Sequence, residues 1–410
     1  MKEPKIRFKG FSGEWKRSTL GDLALFSKGS GYSKSDICKE GTPVILYGRM
    51  YTKYQSVFDE IDTFVNPKDN SVVSKGGEVI IPGSGESSED ISLAAMVKNE
   101  GVILGGDLNI LKFNQKVNDP AFMSMAITYS PTRAELSSYS QGKTVVHLRN
   151  SEIAKGTIRY PDISEQNTIV NYVLSLDAQI SASTSRLASL KQMKAASLQA
   201  MFPQEGETVP KVRFKGFEGE WKKVKLNTFA KRIMRKNSNL ESSLALTIAS
   251  AYGLVSQAEY FNNLVVGSNI QNYYLLKKGE FAYNKSYSNG YPFGSVKRLD
   301  RYEQGILSTL YIVFSIDNSV SSDYITHFFD TTLWHKEIAE RAEEGARNHG
   351  LLNIATRDFF DIYIWMPDSV KEQQSIASFF TSLDRQIALH TQRLEKLKQI
   401  KAACLDKMFV

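Results

Sequence analysis

One short stretch of the sequence resembles part of a phosphate-binding loop, Gly142-Lys143-Thr144. Such a loop cradles phosphate groups with the backbone amides of a glycine-rich turn, and it requires a glycine five residues before its Gly-Lys pair. That position is Ser137, so the spacing fails, and no GxGxxG or HExxH pattern occurs elsewhere. The sequence therefore predicts no nucleotide site.

The titratable residues also give no pattern typical of a catalytic or metal site. The five histidines have no metal-ligand spacing and no cysteine joins them: His147, His327, His335, His349 and His390. His335 and its neighbouring glutamates are typical of a solvated helix face. The Asn/Asp-Pro-Pro-Tyr/Phe element with which adenine methyltransferases hold their target amino group is absent. We therefore expect a binding protein without catalytic residues, metal or cofactor.

Composition limits the class of protein but does not name a partner. The chain has 410 residues, 42% hydrophobic and 23% charged, which is ordinary for a globular protein of two or three domains. A net charge of +7 favours a polyanionic partner only mildly. Two cysteines, Cys38 and Cys404, are too few for a disulfide framework and suit a reducing compartment. No apolar run approaches 18 residues, so we expect a cytoplasmic protein without membrane contact.

The chain is an internal duplication. Residues 5–20 and 211–226 are identical at 11 of 16 positions, and residues 174–202 and 381–409 at 17 of 29. The offsets are 206 and 207 residues, so both matches belong to one repeat. The inserts between them, 27–150 and 233–350, show little similarity. A repeated frame with two different inserts indicates one kind of task performed on two targets.

Each repeat ends in a long helix. Apolar residues recur at steps of 4, 3, 4, 7 and 3 in both copies, which is the seam of a coiled coil: Ile169, Val173, Leu176, Ile180, Leu187 and Leu190, then Ile376, Phe380, Leu383, Ile387, Leu394 and Leu397. Polar residues interrupt both seams at equivalent positions, namely Ser183 and His390, and Lys194 and Lys401. Such interruptions favour pairing of the two helices, although each helix could instead pack on its own domain.

Other helix residues suggest contacts outside the seam. Asp177 and Asp384 occupy identical places in the repeat and are interpreted as helix-surface or interface residues. Four apolar residues lie off the seam, and we expect them to dock a partner protein, although they could instead pack against the chain's own inserts: Val170, Leu174, Leu198 and Leu405.

The inserts have the pattern of mixed domains dominated by short strands. Apolar runs bounded by glycine predict strands within 44–50, 79–85, 102–113, 274–286 and 307–316. Short helices are predicted at 119–129 and 321–343.

The order of these parts resembles the specificity subunit of type I restriction-modification enzymes. The residues that carry the resemblance are Pro-x-(Ile/Val)-Arg-Phe-Lys-Gly-Phe-x-Gly-Glu-Trp at 4–15 and 210–221, and Pro-Asp…Glu-Gln…Ile at 161–169 and 367–376. The resemblance covers the whole chain twice. Residues 283–299 and 307–314 also look like target recognition sequence of this family.

The resemblance implies an α+β fold in which two mixed target recognition domains are joined by two long antiparallel coiled-coil helices with an internal pseudo-two-fold repeat. The expected parts are the first recognition domain, first spacer helix, linker, second recognition domain and second spacer helix, at 1–163, 164–202, 203–210, 211–370 and 371–410.

The resemblance also implies the partners. They would be double-stranded DNA, two modification subunits that methylate adenine, and two ATP-driven restriction subunits, while the specificity subunit itself is not an enzyme. A free-standing two-headed DNA-binding protein or repressor is an alternative from another class, and a coiled-coil scaffold is a third.

Readout of bases in the major groove requires hydrogen-bonding side chains on exposed loops. In the first insert the candidate DNA-binding residues are Arg49, Tyr51, Lys53, Ser84, Ser87, Lys143 and Thr144. In the second they are Asn284, Lys285, Ser286, Tyr287, Asn289, Arg347, Asn348 and His349. The competing interpretation is that the tyrosines are core residues and the Gly-Ser loops are only turns.

Overall fold

The computed structural model of the chain describes residues 3–142, 144–250, 253–261, 269–288, 290–342, 352 and 354–410. It divides into a first unit, Met1–Thr184 with Gln392–Val410, and a second unit, Ser185–Thr391. Each unit combines one insert with segments of both long helices. The predicted boundaries between recognition domains, spacer helices and linker stay a prediction, because the units cut through both helices.

The two long helices span Ile163–Ala200 and Val370–Met408. At 1.5 Å per residue, a helix of 38 residues is about 57 Å long. Ten of the twelve predicted seam residues are buried, whereas Ile180 and Ile387 are half-buried. The apolar periodicity therefore identified the buried side of both helices.

Within the first unit the two helix segments run antiparallel. The Tyr172 hydroxyl lies beside the Cys404 thiol, and burial, followed by this neighbour, raises the pKa of Tyr172. Further along the first helix, Asp177 accepts a hydrogen bond from Lys401. Residue numbers rise along one helix and fall along the other, which is the antiparallel arrangement.

The second unit repeats this arrangement with equivalent residues. Lys194 pairs with Asp384 at 2.7 Å, and the rings of Phe202 and Phe380 lie 6.0 Å apart. Asp384 is thus an interface residue, as predicted, and so is Asp177. The lysines that interrupt the seam form ion pairs across the helices.

The off-seam apolar residues pack against the apolar cores of this chain. Val170 and Leu405 are 5% and 8% exposed in the core of the first unit, and Leu174 packs against the same core. Leu198 packs against the core of the second unit. The expectation that these residues dock a partner is wrong for the buried pair, because this chain's own domain covers them.

The first insert forms two five-stranded sheets and several short helices. The first sheet has the strand order Ala24–Lys28, Leu108–Phe113, Glu78–Pro82, Ala95–Val97, Val57–Phe58. The second has the order Ile37–Cys38, Phe64–Val65, Thr42–Ile45, Glu100–Leu104, Val73–Lys75. Two-stranded pairs are formed by Lys16–Thr19 with Thr157–Tyr160, and by Ser84–Gly85 with Val146–His147. Its helices are Leu20–Leu23, Arg49–Thr52, Ser88–Ile91, Pro120–Tyr129, Thr132–Tyr139 and Asn150–Ile153, with a 3-10 turn at Lys34–Asp36.

The second insert forms a four-stranded sheet with the order Ala230–Arg232, Ile312–Ile316, Phe281–Asn284, Ser295–Arg298. Three antiparallel pairs accompany it: Lys222–Lys225 with Tyr363–Met366, Leu246–Ala249 with Gly253–Ser256, and Tyr274–Lys277 with Gln304–Leu307. Its helices are Gln257–Phe261, Ser322–Phe328, Leu333–Arg341 and Thr356–Phe360, with 3-10 turns at Leu226–Thr228 and Ile270–Asn272.

The two inserts share one scaffold despite their different sequences. In the first sheet Val79 is opposite Leu111, and in the second unit Phe281 is opposite Phe314. The neighbouring strand pairs correspond as well, with Ala24 opposite Phe113 in one unit and Ala230 opposite Ile316 in the other. Strand order and register therefore match over four strands, which makes positions in the two units directly comparable.

Several predicted elements differ in extent. The strand predicted within 44–50 ends at Ile45, and a helical turn begins at Arg49. The helix predicted at 321–343 is two helices, Ser322–Phe328 and Leu333–Arg341. His335 is not on a solvated face: its ring lies 5.1 Å from that of Phe293, and burial lowers its pKa. None of the described helices is long and apolar enough to cross a membrane.

Candidate nucleic-acid interface

Three loops predicted to contact DNA meet at one edge of the first unit. Ser84–Gly85 pairs with Val146–His147, and Gln141 pairs with His147, which joins residues 83–88, with the predicted loop 84–88, to residues 141–142 and 144–147, the described part of the region around the predicted loop 141–144. The Tyr51 hydroxyl donates a hydrogen bond to the Ser84 carbonyl at 2.6 Å, which adds the segment 49–53. We call this set, with the turn 105–107 and Lys28, the first recognition edge.

Several predicted contact residues at this edge are engaged within the protein. Arg49 and Lys53 both pair with Asp62, and the Arg49 side chain is only 9% exposed. Ser84 is buried, and its hydroxyl lies 3.1 Å from Nδ1 of His147. Ser87 caps a short helix by accepting a hydrogen bond from the Asp90 amide at 3.1 Å. These side chains hold the loops in place.

Other residues at the first recognition edge are exposed, and two of them were not predicted. Thr144 was predicted, and Glu86 lies within the predicted loop 84–88, whereas Lys28 and Asp107 were not predicted; all four are exposed. A side chain added at Gly83 would meet the Lys28 ammonium at 3.1 Å, so Lys28 lies over the loop 83–88. The glycine-rich turn Gly105-Gly106-Asp107 between two apolar strands was the signal that could have found Asp107.

The electrostatics of this edge are mixed rather than uniformly basic. Burial, followed by the charge of Asp90 and of other nearby carboxylates including Asp107 and Glu86, raises the pKa of the Tyr51 hydroxyl. Tyr51 is therefore a neutral donor at physiological pH. The neighbouring carboxylates can accept hydrogen bonds from a ligand, whereas they would repel a phosphate group.

The second unit has an equivalent edge. The Leu148 amide donates to the Gly83 carbonyl at 3.0 Å in the first unit, and the Leu352 amide donates to the Lys285 carbonyl at 2.9 Å in the second. Because strand register also equates Gly83 with Lys285, the two loops occupy the same place on the scaffold. We call residues 284–288, 308–311 and 352, with Met234, the second recognition edge.

The predicted contact residues of the second unit are only partly described. Asn284 accepts a hydrogen bond from the Ser286 amide at 3.0 Å, and the side chain of Tyr287 is 62% exposed. Lys285 and Ser286 are half-buried. The remaining predicted residues of both units lie outside the described residues: Lys143, Asn289, Arg347, Asn348 and His349.

One cluster in the second unit has the composition of a metal site, but lysine ammonium groups already neutralise its carboxylates. His327, Asp330 and Asp384 have ligand atoms within 4.8 Å of one another. The Lys194 ammonium lies 2.8 Å from Asp330 and 2.7 Å from Asp384, and Lys297 lies 2.9 Å from Asp330. Burial by itself would raise the pKa of Asp330, but these charges hold it well below the usual range. The cluster is therefore an ion-pair network.

The network predicts a large stability effect. Asp330→Asn would leave Lys194 and Lys297 short of a counter-charge where the Asp330 side chain is only 17% exposed. We expect a loss toward the lower end of about 3–5 kcal/mol in the unfolding free energy of the second unit. Denaturant unfolding measures this loss. Asp300→Asn is the matched control, since Asp300 is 53% exposed in its pair with Arg298, and it should cost less than about 1 kcal/mol. Equal effects of the two substitutions would contradict the prediction.

Comparison with known proteins agrees with the duplicated architecture. The sequence model of the type I restriction modification DNA specificity domain matches residues 12–192 and 218–399. The S subunit of a type I restriction-modification system from M. genitalium is 14% identical, with a TM-score of 0.63 over 100% of this chain and 99% of that chain. The HsdS subunit from Thermoanaerobacter tengcongensis is 15% identical, with a TM-score of 0.45 over 96% of both chains.

A third structure, from work on complex assembly and conformational transition of the type I R-M system, is 15% identical with a TM-score of 0.46 over 96% of this chain and 97% of that chain. No curated protein matches the sequence closely enough to add to these results. The common fold is inferred from the M. genitalium structure alone, because only its TM-score exceeds 0.5 among the three. The two matches to the specificity domain favour a specificity subunit over a repressor or a scaffold protein. Because the specificity domain matches most of the chain in two copies, the chain belongs to the type I restriction-modification DNA specificity family, whose members are non-catalytic specificity subunits.

Proposed function

We propose that each recognition edge reads one half of a bipartite DNA site that is not a palindrome. The observation that carries this proposal is the placement of two chemically different edges at equivalent positions of one scaffold. Gly83 and Lys285 hold the same place relative to the sheet, but the side chains around them differ. Equivalent placement supports the same mode of DNA contact, and different side chains support different base preferences.

The edges contain both charge signs, which agrees with base readout more than with phosphate attraction. The whole chain has a net charge of only +7, so phosphate neutralisation alone would give weak, salt-sensitive binding. Loops fixed by internal hydrogen bonds, such as that from Tyr51 to Ser84, present their exposed neighbours in a defined geometry. Defined geometry is what discrimination between bases requires.

The proposed complex contains two modification subunits and, for cleavage, two ATP-dependent restriction subunits. The duplication supports this number, because each half of the chain presents the same frame. In both halves an arginine of the frame forms an ion pair with a glutamate in the first turn of a long helix: Arg7 with Glu165 at 2.8 Å and Arg213 with Glu372 at 2.7 Å. In this proposal the chain directs adenine methylation or restriction of chromosomal DNA in the cytoplasm.

Co-expression with a modification subunit in a host free of adenine methylation tests the proposal. We expect methylated adenines only within a split motif, two short specified blocks separated by unspecified base pairs. Single-molecule sequencing locates the methylated bases, and light scattering of the purified complex should give a mass with two modification subunits per chain.

The control is the same host with the modification subunit alone, which should leave the motif unmethylated. A continuous or palindromic motif would contradict the bipartite proposal. A complex saturated by a single modification subunit would contradict the symmetry on which the stoichiometry rests.

A further inference from the structure

Asp107 and Leu310 occupy equivalent positions beside the two recognition loops. In the first unit Leu108 is opposite Pro82, so Asp107 is opposite Gly83, and the Gly83 amide donates to the Asp107 carbonyl at 2.5 Å. In the second unit Tyr283 is opposite Ile312. Continuing that register by two residues places Leu310 opposite Lys285. One turn position thus has an acid in the first unit and a leucine in the second.

Both side chains are available to a ligand. Asp107 is exposed and makes no ion pair or side-chain hydrogen bond with any other residue that the structure describes. The side chain of Leu310 is 65% exposed. The Asp107 backbone has a φ of 60°, a left-handed conformation that Asp and Asn adopt more readily than most residues. Turn geometry therefore explains an Asp or Asn here, but it does not explain a carboxylate that has no partner among the described residues at an edge that we propose contacts DNA.

The major groove offers only one kind of partner to a carboxylate. A carboxylate accepts hydrogen bonds and cannot donate them, and phosphates repel it. The donors at the major-groove edge of the bases are the amino groups of cytosine and adenine, and carboxylates pair with the cytosine amino group. Glu86 adds a second exposed carboxylate at the same edge. The chemistry of the first recognition edge therefore fits an amino group of a base.

The second recognition edge is apolar at the equivalent positions. Met234 is 63% exposed and takes the place of Lys28, while Tyr287 is 62% exposed and takes the place of Gly85. With Leu310 they are the exposed large apolar side chains among the described residues of this edge. The thymine methyl group is the apolar feature of the major groove.

We propose that Asp107 and Leu310 are specificity-determining residues of opposite chemistry. Asp107 accepts a hydrogen bond from a base amino group, that of cytosine or adenine, in the half-site of the first unit. Leu310 contacts a thymine methyl group in the half-site of the second unit. This inference rests on the proposed function and deepens it, because it names the base feature that each edge selects.

Selection from a pool of randomised DNA duplexes with the full chain and its modification subunit tests the assignment. Asp107→Gly keeps a residue suited to the left-handed turn but removes the carboxylate. We expect it to reduce the preference for cytosine or adenine at one position of one half-site by at least about fivefold. Leu310→Ala should reduce a thymine preference at one position of the other half-site. Glu100→Gln is the matched control for lost charge, because Glu100 is exposed at the opposite end of the strand that leads into the Asp107 turn.

Replacing that thymine by uracil removes only the methyl group. Wild-type binding should weaken by about fourfold, the value of one buried carbon, and Leu310→Ala should show no difference between the two duplexes. A bipartite site whose base preferences are unchanged in both variants would overturn this inference and leave the proposed function standing. Selection of no bipartite site by the wild-type complex would overturn both.

Discussion

Replacing residues 27–150 with the insert of another family member should change one half of the recognised DNA site completely and leave the other half unchanged. The first recognition edge lies entirely within this segment, from Lys28 to His147. The long helices pack apolar side chains against the insert, and they also bind its backbone. Gln166 accepts a hydrogen bond from the Asp119 amide at 2.8 Å and donates to the Val117 carbonyl at 3.2 Å. Because backbone amides and carbonyls are present in any sequence, Gln166 can form the same two hydrogen bonds with a different insert.

The second unit uses the same device, which gives the reciprocal experiment. Gln373 accepts a hydrogen bond from the Ser321 amide at 2.9 Å, so replacement of residues 233–350 should change only the other half-site. Mapping of methylated adenines in a host that expresses each chimera with its modification subunit measures both outcomes. A chimera in which both halves change, or neither does, would show that the inserts are not independent.

The frame could be predicted from the sequence because its residues contact one another. Arg7 binds Glu165, and Arg213 binds Glu372, so substitution of either partner would leave a largely buried charge unpaired. Such positions retain their identity in both copies. The long helices are constrained in a similar way, because their buried seams require apolar residues at a fixed spacing in both copies.

The inserts could be predicted only in part because their shared scaffold depends on apolar volume and register, which many residues satisfy. Val79 and Phe281 fill equivalent positions opposite Leu111 and Phe314 without identity at either place. The common four-stranded sheet therefore has little alignable sequence. Its shared residues include Ala24 and Ala230 in the first strand, and Lys75, Gly77 and Glu78, which correspond to Lys277, Gly279 and Glu280 beside the central strand.

The candidate contact residues show a similar limit. Loop composition identified segments that do meet at one edge, but it could not separate side chains that fix a loop from those that face outward. Arg49 and Ser84 were selected for their chemistry and are engaged internally. Asp107 and Leu310, which we propose as specificity-determining residues, were not predicted because base contacts were expected from hydrogen-bonding side chains of positive or neutral charge.

Truncating the phenylalanine at the end of each long helix should destabilise the unit in which that helix ends, and not the unit in which it begins. Phe202 follows the first helix and is fully buried in the second unit, with ring centroids 5.9 Å from Trp221 and 5.7 Å from Tyr324. Phe409 follows the second helix and is 5% exposed in the first unit, 5.6 Å from Phe122. Each unit therefore completes its core with a residue supplied by the other repeat.

A buried phenylalanine replaced by alanine costs about 3–5 kcal/mol, because apolar contacts are lost and a cavity remains. We expect Phe202→Ala to fall at the upper end and Phe409→Ala at the lower end, since Phe202 is fully buried among four aromatic rings, whereas Phe409 is 5% exposed and contacts two. Hydrogen exchange should rise in the helix Ser322–Phe328 for the first variant and in the helix Pro120–Tyr129 for the second. Leu389→Ala is the control, because Leu389 is 63% exposed on the second long helix and its loss should cost less than about 0.5 kcal/mol. Faster hydrogen exchange in the second unit of Phe409→Ala, with no change in the first unit, would contradict this prediction. It would show that the core of the first unit does not depend on the end of the second helix.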